Sequence, residues 1–167
     1  MGRLFLLRHA KAGWALPGVR DFDRPLEASG RIDAEAIGAE MRSRGYVPDL
    51  TLCSNALRAR ETLEGVAGQA DTGRVVFCDK LYSEDAAGYL ALIHENADSG
   101  SVLVIGHNPM MEDLAAAVSG DGDPAARTKL DAGFPTSGLA VIAFPGSLRK
   151  AAPGGGFLEA FLAPGLH

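Results

Sequence analysis

Apolar residues in this chain gather in short runs divided by polar, helix-periodic stretches, and two of the runs end on a histidine. Leu4-Phe5-Leu6-Leu7 leads into Arg8-His9, and Val102-Leu103-Val104-Ile105 leads into Gly106-His107. Runs of four bulky residues read as buried strands. Further strands are expected at 49–53, 75–78, 139–144 and 157–162, and helices at 26–44, 56–68 and 84–97, with one more after Asn108. In the first helix Ile32, Ala36 and Met41 give a loose apolar stripe, and Gly45 with Pro48 just beyond supplies the stop. Ser54 is available to cap the second helix, and Tyr89, Leu90, Ile93 and Ala97 fall at helical spacing in the third. Asn108 suits an N-cap, with Pro109 at the first helical position and Glu112 and Asp113 early in the helix. The segment 145–156 is turn-like, so the last two strands are expected to pair as a hairpin. This alternation predicts an α/β fold on a mainly parallel sheet.

Composition narrows the picture. The chain has 167 residues, 47% hydrophobic and 22% charged, which suits one well-buried domain over residues 1–167. A net charge of −5 argues against a nucleic-acid or membrane-surface partner. Any anion site must therefore be built locally from a few basic groups. The apolar runs are far below membrane-spanning length. Arg8, His9 and Lys11 interrupt what would otherwise begin a signal peptide, and Leu6 stands where a lipidation motif wants Ser or Thr. Cys53 and Cys78 read as buried thiols rather than a disulfide or metal pair. A cytoplasmic protein is the expectation.

In an open α/β sheet ligands bind beyond the carboxyl ends of the strands. The two histidine-ending strands would bring His9, His107 and the guanidinium of Arg8 to one rim. A neutral imidazole is a good nucleophile toward phosphorus when its other nitrogen is tied down. Arginines complete such a site because their planar fork holds two phosphoryl oxygens at once. Arg58 enters from the stretch Ser54-Asn55-Ala56-Leu57-Arg58-Ala59-Arg60-Glu61-Thr62, near the start of a helix, where Ser54 could offer a hydroxyl or amide to the same anion. Out of context, Arg58 or Arg60 would pair with Glu61 or Glu64 on a solvated helix face, and Arg8-His9 would simply end a strand. Gly106 permits close backbone approach, and the helix after Asn108 would add amide donors. His94, in a helix beside apolar neighbours, and the terminal His167 are assigned no role. No spacing completes a metal-ligand set around the two histidines, and two arginines would repel a cation.

Taken in order, Leu7-Arg8-His9-Ala10, the 54–62 stretch with Arg58-Ala59, and Gly106-His107-Asn108-Pro109 resemble the histidine phosphatase superfamily, over nearly the whole chain. Asp23-Arg24-Pro25-Leu26 before Ser29-Gly30, and Pro135-Thr136-Ser137-Gly138 before the fifth strand, look most like its small SixA branch of phosphohistidine phosphatases. The resemblance implies a phosphoglycerate mutase-like, three-layer α/β/α sandwich. It implies His9 as the nucleophile that becomes phosphorylated, Arg8 and Arg58 as the phosphate clamp, and His107 as a stabilising contact, with Ser54 and Asn108 as further binding residues. No metal or organic cofactor is implied. Larger members use a glutamate after the third strand as general acid. Glu84 stands in that region, but it reads first as an ordinary first-turn residue at a helix N-terminus, and Lys11 fits a solvated rim. The expected substrate is a phosphorylated protein, with a histidine-containing phosphotransfer domain among the candidates, or a small phosphate ester. A non-catalytic phosphate-binding module and a mutase are the rival readings.

Overall fold

A computed structural model describes residues 1–97 and 100–164; His167 lies outside the described residues. Seven strands form one sheet: β1 (Gly2–Arg8), β2 (Leu50–Ser54), β3 (Arg74–Cys78), β4 (Ser101–Gly106), β5 (Ser119–Gly122), β6 (Leu139–Phe144) and β7 (Gly156–Leu162). Their spatial order is β3-β2-β4-β1-β6-β7-β5. The pairings β1–β4, β2–β4, β2–β3 and β5–β7 are parallel, and β6 runs antiparallel to both β1 and β7. The mainly parallel α/β sheet and the final hairpin are as the sequence predicts.

β1 is buried on both faces, as its unbroken apolar run requires. Alternation then sends Leu4 and Leu6 into one core and Phe5 and Leu7 into the other. The Phe5 side holds α1 (Ala28–Arg44) and α2 (Leu57–Ala67); the Leu4 side holds α4 (Ala86–Asn96), α5 (Met110–Val118) and α6 (Pro124–Asp131). The layering is helix, sheet, helix. No helix among the described residues is long and apolar enough to cross a membrane.

Several local expectations are corrected. The buried face of α1 is Gly30, Ala34, Ile37, Gly38 and Met41, while Ile32 is 66% exposed and Ala36 is exposed too. Glycine and alanine carry this contact, so an apolar pattern cannot report it. A Cβ on Gly30 would stand 2.2 Å from the Lys11 carbonyl, so only glycine lets α1 approach the backbone two residues beyond His9. The helix expected at 84–97 is α4 (Ala86–Asn96), capped by Asp85, which accepts from the Gly88 amide; a short α3 (Lys80–Ser83) that the pattern does not announce precedes it and ends at Glu84. β5 and α6 lie in a polar stretch that carries no strand or helix periodicity. Cys53 is fully buried, Cys78 is half-buried, and both are free thiols.

Candidate active site

The ends of β1 and β4 set the centre of the site. Arg8 pairs with Gly106 across the parallel register, and the His9 amide donates to the Gly106 carbonyl at 3.0 Å. The next residues, His9 and His107, therefore leave neighbouring strands side by side, with ring centroids 5.1 Å apart. Both are nearly buried, at 8% and 5% exposure. Ser137 closes the end of β1 from the other side. Its amide bonds the Arg8 and His9 carbonyls, and its φ of +59° is a conformation non-glycine residues seldom adopt.

His9 Nδ1 lies 2.7 Å from the Ala10 carbonyl, an acceptor, so this nitrogen carries the proton. Nε2 is left with its lone pair, and Arg58 Nε donates toward it at 3.4 Å. The Ala10 amide donates to Thr62 Oγ1, whose hydroxyl donates to the Arg58 carbonyl at 2.7 Å. Thr62 thus ties the strand carrying His9 to the helix carrying Arg58.

Arg58 is buried, and it is not paired with Glu61 or Glu64 as a solvated helix face would have it. Its Nη1 donates to the Asp21 carbonyl oxygen (2.7 Å) and its Nη2 to Asp21 Oδ2 (3.0 Å). Glu61 accepts instead from the Leu26 amide and from Arg31. Arg60 lies over the Phe77 ring. Arg8 Nη1 donates to the Phe134 carbonyl at 2.9 Å, leaving its buried Nε without a partner among the described residues. Burial lowers the Arg8 pKa, opposed by the nearby Glu112 carboxylate.

Ser54 and Asn108 both hydrogen-bond within the protein. Ser54 Oγ accepts from the Ala56 amide and lies 2.8 Å from His107 Nε2. Its proton can go to that nitrogen, which leaves the ring's own proton on Nδ1, a buried donor with no partner among the described residues. Asn108 Nδ2 donates to the same Phe134 carbonyl that holds Arg8, and its Oδ1 accepts from the Glu112 amide. Pro109, not Asn108, occupies the N-cap of α5. The amides of Met111, Glu112 and Asp113 bond His107, Asn108 and Pro109 rather than facing a ligand. The close approach that Gly106 permits is taken by Tyr89, whose hydroxyl would lie 2.8 Å from an added Cβ. That hydroxyl accepts from the His107 amide and donates to the Leu81 carbonyl.

Glu84 is exposed and lies along Gly88; none of the site's hydrogen bonds includes it. Lys11 is a solvated rim lysine paired with Glu27, and His94 is a structural residue against the Ala151 carbonyl. Tyr82 and Asp21 are the residues that sequence reasoning missed. The Tyr82 ring stands edge-on to His107 (5.5 Å) and to Phe22 (4.9 Å), and its hydroxyl donates to Asp21 Oδ2 at 2.7 Å. Arg24 Nε donates to Asp21 Oδ1. These bonds, Tyr82 first, hold the Asp21 carboxyl down to about 2. Among the described residues no three His, Cys, Asp or Glu side chains gather as they would around a metal ion.

Burial pushes the His9 imidazole from 6.5 down to about 4, with the arginines also disfavouring a second proton. His107 falls to about 3 through burial and then through His9. The unfolded chain, whose histidines titrate near ~6.5, therefore binds more protons than the folded one between about pH 6.5 and 3. Stability is fully present above that window and is lost as the pH falls through it. At about 1.4 kcal/mol per pH unit the two shifts together amount to several kcal/mol, a Tm decline on the order of 10 °C or more for a chain of this size. Thermal unfolding at a series of pH values checks this, and a flat Tm would contradict it.

A model of the histidine phosphatase superfamily (branch 1) matches residues 4–85. The fold superimposes on the candidate phosphohistidine phosphatase SixA from Agrobacterium tumefaciens with a TM-score of 0.84 and 40% identity over 98% of both chains. A second candidate SixA, from Nakamurella multipartitia, gives 0.85 and 32% identity over 98% of this chain and 96% of that one. An uncharacterised chloroplastic protein of Arabidopsis thaliana is 35% identical over 178 residues, 97% of this chain and 78% of the relative. In sequence and in fold, the chain belongs to the histidine phosphatase superfamily as a SixA-type phosphatase.

Proposed function

We propose that this chain is a cytoplasmic phosphatase, one domain over residues 1–167, that removes the phosphoryl group from phosphohistidine on a protein. A histidine-containing phosphotransfer domain is the partner that best fits this chemistry. The observation that carries the reading is the His9 ring, with its Nδ1 proton given to Ala10 and its Nε2 lone pair beside Arg58. In the first step Nε2 attacks phosphorus and the bond from phosphorus to the substrate's imidazole nitrogen breaks; the electron pair stays on that nitrogen, and the ring, already protonated on its other nitrogen, departs as neutral imidazole. In the second, water attacks the phosphorus on His9, releasing phosphate and regenerating neutral imidazole. Arg8 and Arg58 hold the phosphoryl oxygens, and the free Nδ1 proton of His107 meets one of them as charge shifts.

The carboxylates in contact with this frame favour a nitrogen leaving group over an ester oxygen. Asp21 is held ionised by Tyr82 and the arginines, and Glu112 accepts from the Phe134 amide. Neither is poised to protonate an alkoxide, whereas a departing imidazole can carry its own proton. General acids contribute roughly 10²-fold or more. Hydrolysis of a phosphorylated phosphotransfer domain is therefore expected to exceed that of sugar phosphates, whose alkoxides need a proton to leave, by about that factor in kcat/KM. Efficient ester hydrolysis with the phosphohistidine protein left intact would instead establish a small-molecule phosphatase. The free thiols of Cys53 and Cys78 accord with a reducing compartment.

A further inference from the structure

We propose that Asp21 is a positioning residue for Arg58: it grips the outer edge of the guanidinium so that the inner edge faces His9 and is left for the phosphoryl oxygens. This rests on the phosphatase reading given above. A guanidinium carries five N–H groups, one on Nε and two on each terminal nitrogen, and can pair through either of two forked edges. Asp21 takes the edge formed by Nη1 and Nη2, with its backbone carbonyl at 2.7 Å and its Oδ2 at 3.0 Å. The other edge consists of Nε–H and the second hydrogen of Nη2. It contains the nitrogen that stands 3.4 Å from His9 Nε2. An arginine held this way presents two parallel donors beside the nucleophile.

Asp21 is itself over-determined. It sits in a single 3-10 turn at Asp21–Asp23, on the loop that follows His9. Oδ2 also accepts from the Tyr82 hydroxyl, and Oδ1 accepts from Arg24, which is anchored in turn on the Gly13 carbonyl. Tyr82 is wedged between Phe22 and His107. The carboxylate is half exposed (54%), so its bare Coulomb attraction for Arg58 is weakened by solvent. Its contribution is directional: it fixes which edge of Arg58 turns inward. Misplacing a catalytic group by about 1 Å costs on the order of 10²-fold in rate.

The opposing possibility is that Asp21 is an internal anion that phosphate must displace from Arg58, and the two differ in sign. For Asp21→Ala the expected results are a His9 phosphorylation rate from phosphoramidate reduced about 30- to 100-fold and binding of inorganic phosphate, measured by calorimetry, weakened about tenfold. Asp21→Glu is expected to recover part of both. On an Arg58→Ala background the Asp21→Ala change should cost almost nothing more, because Asp21 acts through Arg58. Tightened phosphate binding with unimpaired labelling would overturn the proposal, as would losses that multiply in the double variant. A wild type that binds phosphate but never labels His9 would refute the phosphatase reading. The phosphate-binding comparison would still decide the role of Asp21.

Discussion

His9→Ala is expected to abolish the trapped phosphoenzyme and to lower turnover by at least about 10⁴-fold, the scale on which removal of an active-site nucleophile acts. The two ring nitrogens have separate roles: Nδ1 is fixed to the Ala10 carbonyl, and Nε2 faces the guanidinium of Arg58 with its lone pair. Asp21, the ionised group on the other edge of that guanidinium, has its oxygens committed to Arg58, Tyr82 and Arg24. His107 cannot substitute, because its Nε2 is taken by Ser54. Rapid quenching with a radiolabelled phosphohistidine protein checks both quantities. Label retained on His9→Ala would move the nucleophile elsewhere. The same variant should show a shallower loss of Tm between about pH 6.5 and 4, since one of the two buried rings that resist protonation is gone. Loss of activity with a flatter stability profile cannot be produced by unfolding.

Arg58→Lys should cost about 10²–10³-fold in kcat, the range seen when one preorganised donor to a developing charge is lost. Lysine keeps the charge and loses the fork. An ammonium could meet Asp21 or the phosphoryl group, but it cannot hold Asp21 along one edge while offering two parallel donors along the other. Since the missing interaction strengthens in the transition state, kcat should fall more than KM rises. Steady-state kinetics on the lysine and alanine variants separate the contributions. A lysine variant with full kcat would show that charge alone suffices at this position.

How much of this was legible in the chain depends on the distance between partners and on residue size. β6 was read with the bounds it has, and β1 and β4 were found, because continuous bulky runs have few other uses. Arg8, His9 and His107 stood out because they close or follow such runs, whereas Arg58 stood out only through the resemblance of the 54–62 stretch to the family. The inward face of α1 was not, since Gly30, Ala34 and Gly38 pack by being small and Ile32 points outward. Ser54 and Asn108 were placed at the right rim but engage the protein frame. Asp21 and Tyr82 left no local signal. Asp21 meets Arg58 across 37 positions and Tyr82 across 61, and an Asp in a loop or a Tyr near a helix end is ordinary in any sequence. Glu84 reads in the chain as an ordinary helix-end residue, and its exposed side chain lies along Gly88.

The register of β1 against β4 has a consequence for motion. The two strands lie in the middle of the sheet, bonded on both sides, and the His9 amide is part of their ladder. Hydrogen bonds of that kind open only with large parts of the molecule, while loops open at little cost. The spacing of the two backbones that carry the imidazoles is therefore set by the repeat of the sheet, and opening it would take the central ladder apart. Asp21 and Tyr82, on the loop after His9 and on α3, hold Arg58 from outside that ladder, so the guanidinium can be adjusted without altering the strands beneath the rings.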